Sequence, residues 1–93
     1  MIESFACAET EKIWRRQRSR KLPQNIQRIA RRKLLMLDAA PDRNAMRVPP
    51  GNRMEALKGK RSGQHSIRVN DQWRICFEWH NGNARHVEIV DYH

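Results

Sequence analysis

Asp91, Tyr92 and His93 set a carboxylate, a phenol and an imidazole side by side after the alternating segment Arg85-His86-Val87-Glu88-Ile89-Val90. An earlier alternating segment carries Trp73-Arg74-Ile75. Where two such segments pair, an acid, a phenol, an imidazole and a guanidinium come near one another, and these are groups that cleave a phosphodiester. RNA is cut without a metal when its own 2′-hydroxyl attacks the adjacent phosphorus. That reaction takes a base for the 2′ proton, cations or donors on the phosphoryl oxygens, and an acid for the departing 5′ oxygen. Imidazole is matched to proton transfer near neutrality, and a guanidinium holds phosphate oxygens in a bidentate fork while keeping its charge. His93 therefore suits proton transfer and Arg74 the phosphate. Tyr92 can stack on a base or donate to phosphate, and Asp91 can orient His93 or raise its basicity. Glu55 and Lys58, on the segment ahead of the sheet, can approach from another side. An Asp-Tyr-His tripeptide without context is ordinary surface in most chains, so the assignment depends on what surrounds it. His65, His80 and His86 read as solvated or structural, His80 at a turn and His65 at a strand start.

The elements that must hold these groups follow from apolar spacing. Ile2 to Phe5 is expected to form a short first strand, and Glu9 to about Arg16 a helix whose apolar contacts are Ile13 and Trp14. The run Arg15-Arg16-Gln17-Arg18-Ser19-Arg20-Lys21 is too charged to bury and includes a loop. Pro23 suits the first turn of a second helix, where its missing N–H costs nothing. Ile26, Ile29, Ala30, Leu34 and Leu37 recur at helical spacing, and Pro41 stops the helix near Ala39. Arg28, Arg31 and Arg32 fall on its other faces, so one stripe is buried and the rest shows phosphate-seeking charge. Pro41, Pro49, Pro50 and Gly51-Asn52 break any regular ladder over residues 41–51. After Leu57-Lys58-Gly59 the period becomes two. Ile67 and Val69, then Trp73, Ile75, Phe77 and Trp79, then Val87 and Ile89 alternate with polar residues, as strands with one buried face do.

Register follows from parity. The apolar members of all three strands carry odd numbers, and directly paired residues share a face. Pairing Val69 with Trp73 and Ile67 with Ile75 makes Asn70-Asp71-Gln72 the turn. The same reasoning favours a three-residue Asn81-Gly82-Asn83 turn over a two-residue Asn-Gly turn, because it sets Ile75 opposite Ile89. A slip of one residue would expose the apolar set. The expected architecture is α+β and a single domain, residues 1–93. The N-terminal strand and two helices pack on the odd-numbered face of a three-strand antiparallel meander. The even-numbered face then holds Ser66, Arg68, Arg74, Cys76, Glu78, His86, Glu88 and Tyr92, with Val90 beside Arg74. Arg68 lies directly across from Arg74, and like charges so placed destabilise a sheet. A bound anion, or Glu78 and Glu88, must compensate.

Composition narrows the partner. Ninety-three residues with 19 Lys and Arg against 10 Asp and Glu carry a formal charge of +9. Self-repulsion at that density disfavours a compact monomer, which points to a polyanionic partner. Cys7 and Cys76 lie far apart without metal-ligand spacing and read as packing residues in a reduced cytosolic setting. The opening Met1-Ile2-Glu3-Ser4-Phe5-Ala6-Cys7-Ala8 is too short and too acidic to resemble a secretory leader.

Leu57-Lys58-Gly59, Ser66-Ile67-Arg68-Val69-Asn70, Trp73-Arg74-Ile75-Cys76-Phe77 and Val90-Asp91-Tyr92-His93 together resemble the HigB-type toxins of the RelE/ParE toxin–antitoxin superfamily. The likeness is closest to the host-inhibition branch that includes GraT, and it runs from Met1-Ile2 through Glu55-Ala56-Leu57 to His93. It implies a RelE-like helix-plus-sheet toxin that enters the ribosomal A site and cleaves mRNA there, cytoplasmic, without metal or cofactor. The family's transition-state arginine falls on Arg74, its terminal acid, aromatic and histidine on Asp91, Tyr92 and His93, and its loop lysine on Lys58. Some HigB toxins have a second histidine where this chain has Glu55. Either Glu55 becomes the base with His93 as acid, or His93 and Asp91 share the work and Glu55 is structural. The likeness further implies that Arg15, Arg16, Arg28, Arg31 and Arg32, with Arg18, Arg20 and Lys21, face ribosomal RNA, while Lys58 and Arg68 stand toward mRNA. The implied partners are the 70S ribosome with its 16S rRNA, mRNA, and a helix-turn-helix antitoxin of HigA type. Operator DNA is reached only through that antitoxin, and no membrane is involved. Two other functions fit the same chain. A ParE-like poison of DNA gyrase shares the scaffold, and a non-catalytic ribosome- or RNA-binding protein explains the charge but leaves Arg74 and His93 without a purpose.

Overall fold

Apolar spacing changes from three-and-four to two partway along the chain, and the backbone changes with it. The computed structural model describes residues 1–91. Helix α1 spans Ala8–Trp14 and α2 spans Gln24–Ala39. The first helix stops short of Arg16 because that residue turns left-handed, at φ 63°, while the Arg15 and Arg16 amides still reach back to the Glu11 and Ile13 carbonyls. Pro23 sits at the cap position, one residue ahead of the expected first turn. Ile26, Ala30, Leu34 and Leu37 are buried as their spacing requires, and Lys33 is buried among them.

The sheet is antiparallel in the order β1-β2-β3-β4, with β1 Glu55–Ala56, β2 Gln64–Arg68, β3 Trp73–His80 and β4 Asn83–Asp91. It therefore has one strand more than the expected three-strand meander. Two residues are too few to display alternation, so β1 is visible only through its pairing, Glu55 opposite Ser66 and Ala56 opposite His65. The Ile2–Phe5 segment is not a strand in its own right. It makes isolated parallel bridges, Ile2 with Ala84 and Phe5 with Val87, along the outer edge of β4. That edge is closed further by backbone amides, His86 N–H donating to Ser4 Oγ at 3.0 Å and Ile89 N–H to Thr10 Oγ1 at 2.9 Å. An edge so covered offers no template to another chain.

Ile67 pairs with Ile75 and Ile75 with Ile89, as parity requires. The Asn70 side chain closes the first turn, accepting from the Gln72 and Trp73 amides at 2.9 and 2.8 Å. The second turn differs from expectation. His80 pairs with Asn83, so the loop is the two-residue Asn81-Gly82, with φ 49° and 80°. Both positions are left-handed, the geometry in which Asn-Gly closes a hairpin without splaying twisted strands. This turn alone would misalign the apolar faces by one residue. A bulge in β4 corrects it: Glu78 pairs with Arg85 but Cys76 with Glu88, and the extra residue is absorbed at His86, φ 54°. Inside the bulge Ala84 faces the core, and beyond it Val87 and Ile89 do. Both helices contribute to this core, where Ile13, Ile26, Leu34 and Leu37 meet Ile67, Ile75 and Phe77 on the odd-numbered face.

Candidate functional site

Direct pairing lays out the opposite face of the sheet in rows. One row runs Glu55, Ser66, Cys76, Glu88 across all four strands; the next runs Arg68, Arg74, Val90. Arg74 is only 8% exposed. Its Nε donates to Ser66 Oγ at 2.7 Å and its Nη2 to the Arg53 carbonyl at 2.5 Å, with a longer bond to the Ser66 carbonyl at 3.3 Å. Contacts from two directions set the plane of the guanidinium, as a planar fork with donors along its edges allows. Glu55, exposed, stands across from that same Ser66 and shares Arg74's face. Lys58 is exposed in the loop leaving β1, immediately before the 3-10 turn Gly59–Arg61.

Charge balance on this face differs from expectation. Arg68 does stand opposite Arg74, but it ion-pairs with Asp71 of the adjoining turn, not with Glu78 or Glu88. The turn delivers a carboxylate three residues away, within easy reach of a strand-end arginine, so no anion is required there. Glu88 instead pairs with Arg61 at 2.9 Å, and Arg61 also donates to Gln64 Oε1 at 3.0 Å. Glu78 lies 3.5 Å from His86 Nε2. Burial pushes the Cys76 thiol up, which disfavours its thiolate. Cys7 is likewise a free thiol; Cys76 is fully buried, as packing requires, and Cys7 is half-buried.

Asp91 is brought close to Arg74 in register, on the odd-numbered face. It pairs with Trp73, one position from Arg74, and so belongs to the other face of the sheet, where its Oδ2 accepts from Gln72 Nε2 at 3.0 Å. Asp91 thus neighbours Arg74 across the β3–β4 pairing without sharing its face, as the odd-and-even alternation of strand residues requires. Tyr92 and His93 lie outside the described residues. Of the other histidines, His65 is the most enclosed: it stacks on Phe77 with ring centroids 6.2 Å apart, and burial, then Arg43 and Arg47, push its pKa below the ordinary value. Among the described residues no group of three or more His, Cys, Asp or Glu could hold a metal ion, and no helix is long and apolar enough to cross a membrane.

The helical side carries the second cationic region. Ser19, fully buried within the charged run, organises it: its hydroxyl donates to Glu9 Oε1 at 2.7 Å and accepts from the Lys21 and Leu22 amides at 3.2 Å. Gln27 grips the same loop, its Nε2 donating to the Ser19 and Leu22 carbonyls at 2.9 and 2.8 Å. With the backbone so pinned, Arg16, Arg18, Arg28 and Arg31 line a cleft of about 340 Å³ between the loop and α2. Arg28, Arg31 and Arg32 line a second depression. Arg15 stands apart, exposed and paired with Glu11 at 2.9 Å on α1.

Sequence reasoning passed over Ser66 as a site residue, took Asn52 only as a ladder breaker, and left out Arg53, Lys33 and Arg61. One signal was present: Lys33 falls three residues after Ala30 and four before Leu37, on the apolar stripe itself. The others act through backbone carbonyls or long-range pairs, which no local pattern announces.

Residues 3–93 match the family described as the RelE-like toxin of type II toxin–antitoxin system HigB. Toxin HigB-1 of Vibrio cholerae serotype O1 is 48% identical over 67 residues, 72% of this chain and 70% of the relative. Endoribonuclease HigB of Proteus vulgaris is 44% identical over 41 residues, 44% of this chain and 45% of the relative. Among solved structures, the YoeB–YefM complex from Staphylococcus aureus superposes with a TM-score of 0.62 at 15% identity, covering 100% of this chain and 98% of that one. YafQ from E. coli strain BL21(DE3) superposes with a TM-score of 0.56 at 13% identity, covering 98% and 93%.

Proposed function

The chain belongs to the HigB-like toxins, the RelE-like toxins of type II toxin–antitoxin systems, and from that premise we propose that it is an endoribonuclease that cuts translated mRNA in the ribosomal A site. The observation that carries this reading is the held guanidinium of Arg74, with Ser66 beside it and the Glu55 carboxylate across the row. In the proposed reaction the 2′-hydroxyl loses its proton to a side-chain base, Glu55 or the His93–Asp91 pair. The 2′-oxygen attacks phosphorus, and the bond to the 5′-oxygen breaks as His93 protonates it, leaving a 2′,3′-cyclic phosphate and a 5′-hydroxyl. Arg74 stabilises the charge that builds on the phosphoryl oxygens. Glu55, exposed on Arg74's own face, is favoured as the base in this reading. Tyr92 stacks on a base, and Lys58 and Arg68 contact the mRNA backbone.

The cleft and depression lined by Arg16, Arg28, Arg31 and Arg32, together with exposed Arg15 on α1, meet 16S rRNA phosphates, which is the use the +9 charge is given in this reading. As a type II toxin the protein is neutralised by an antitoxin, here proposed to be a helix-turn-helix protein of HigA type that also carries the operator-binding function. The place of action is the cytoplasm, and the chemistry runs through side chains without a metal. Primer extension on a message translated in the presence of the toxin tests the whole. Cleavage at A-site codons by wild type, absent with Arg74→Ala and with His93→Ala, is expected. Undiminished cleavage by both variants overturns it, and growth arrest that survives His93→Ala with a rising DNA-damage response points to gyrase instead.

A further inference from the structure

A lysine on the buried stripe of a helix needs a partner, because burying its ammonium costs heavily unless it is hydrogen-bonded. Lys33 finds one in another segment. Its Nζ donates to Oδ1 of Asn52, in the 3-10 turn Pro50–Asn52. Asn52 is fully buried, and its Nδ2 donates to the Met46 carbonyl at 3.1 Å and the Val48 carbonyl at 3.4 Å. One amide thus ties α2 to the irregular segment that leads into β1. The next residue, Arg53, is left-handed at φ 44°, and its carbonyl accepts from Arg74 Nη2. A continuous polar chain therefore runs Lys33, Asn52, Arg53 carbonyl, Arg74, Ser66, from the helical layer to the opposite face of the sheet. Burial, then Arg32 and Arg68, push the Lys33 pKa down, so the position is costly to the fold in its charged form. An apolar side chain would complete the stripe without that cost. What the lysine offers in exchange is a fixed Asn52, and through it a fixed carbonyl against the guanidinium.

We propose that Lys33 and Asn52 are positioning residues for Arg74, acting through the Arg53 carbonyl. This rests on the reading of Arg74 as the phosphate contact made above. A guanidinium displaced by about 1 Å forfeits on the order of a hundredfold in rate, so the residues that hold its acceptor matter to the reaction although they touch no substrate.

Single-turnover cleavage on programmed ribosomes, with toxin in excess and each variant first shown to be folded by circular dichroism, provides the test. Asn52→Ala and Lys33→Met should lower the rate at saturating toxin on the order of tenfold to a hundredfold, with the half-saturating concentration unchanged. Lys33→Gln, which keeps a donor for Asn52, should retain more activity than Lys33→Met. In an Arg74→Lys background, Asn52→Ala should add no more than about twofold, since residues acting through one another are not additive. Nitrogen-15 spectra supply an independent readout: the Arg74 Nε–H, donating to buried Ser66, should exchange slowly in wild type and quickly in both variants. Folded variants with the wild-type rate and an unchanged Arg74 signal overturn the proposal, as does a full multiplicative loss on top of Arg74→Lys. Should Asn52→Ala fail to fold, Lys33→Met and the Arg74 signal decide. If Arg74→Ala cleaves like wild type, it is the phosphate-contact reading that fails, while the spectra still report whether Asn52 positions that side chain.

Discussion

Arginines gather on two sides of this molecule and are held in opposite ways. On the sheet, Arg74 is nearly buried, with Ser66 and the Arg53 carbonyl fixing its plane. Around the α1–α2 loop it is the backbone that is pinned, by Ser19 and Gln27, while Arg16 and Arg18 of the loop and Arg28 and Arg31 of α2 line a cleft. A reaction needs a donor aimed at one place where charge develops, and preorganisation supplies it. Adhesion to a polyanion needs only cations close enough to displace counterions, and it tolerates side-chain freedom. The same residue type thus serves chemistry when its side chain is fixed and attachment when only its backbone is.

The largest expected effect tests the first half of that contrast. Arg74→Ala should lower the saturating single-turnover cleavage rate on the order of 10²–10³-fold, the usual loss for a transition-state donor, while toxin still co-sediments with ribosomes. Weaker sedimentation with an unchanged rate would assign Arg74 to attachment and erase the distinction. Next comes the cleft. Arg28→Ala with Arg31→Ala should weaken ribosome binding and flatten its salt dependence by about one logarithmic unit of slope per lost phosphate contact. The rate at saturation should hold; its collapse would mean the cleft takes part in chemistry.

A smaller effect follows from pH on the sheet side. His65 has its pKa lowered below 6.5 by burial first, then by Arg43 and Arg47. As pH falls, the unfolded chain takes up this proton before the folded one does, so unfolding gains protons and stability declines. The contribution is intact above 6.5, is lost between 6.5 and the lower folded value, and is constant below that. Melting temperatures recorded from pH 8 to 5 should show this acid slope, and His65→Gln should flatten it. No change in slope would mean that another group governs acid stability. Smallest is Asp71→Ala, which strips Arg68 of its carboxylate opposite Arg74. The pair is solvent-accessible at the Asp71 end, so the loss in chemical denaturation should be at most about 1 kcal/mol. A larger loss would show that like charges across the sheet matter more than the pinned geometry suggests.

Much of this architecture can be read from the chain. The α2 stripe, the odd-numbered strand faces and the pairing of Ile67 with Ile75 and Ile75 with Ile89 all appear as expected. The Asn81-Gly82 turn is the instructive departure: parity called for three residues, the hairpin took the two that twist prefers, and a bulge at His86 reconciled them. Both constraints were written in the residues, but not which would yield. Of the candidate site, Arg74 and Glu55 share a face, Asp91 falls on the other, and Arg68 finds Asp71 instead of a glutamate.

Periodicity, register and net charge are properties of neighbouring residues or of simple counts, and those the sequence carries openly. Which backbone carbonyl arrives beside Arg74, and that a lysine in a helical stripe would reach it through Asn52, came from folding. These contacts join residues 19 and 21 positions apart. They exist because a cramped segment between α2 and β1 must bury its polar atoms somewhere, and the partners within reach are set by how the layers close.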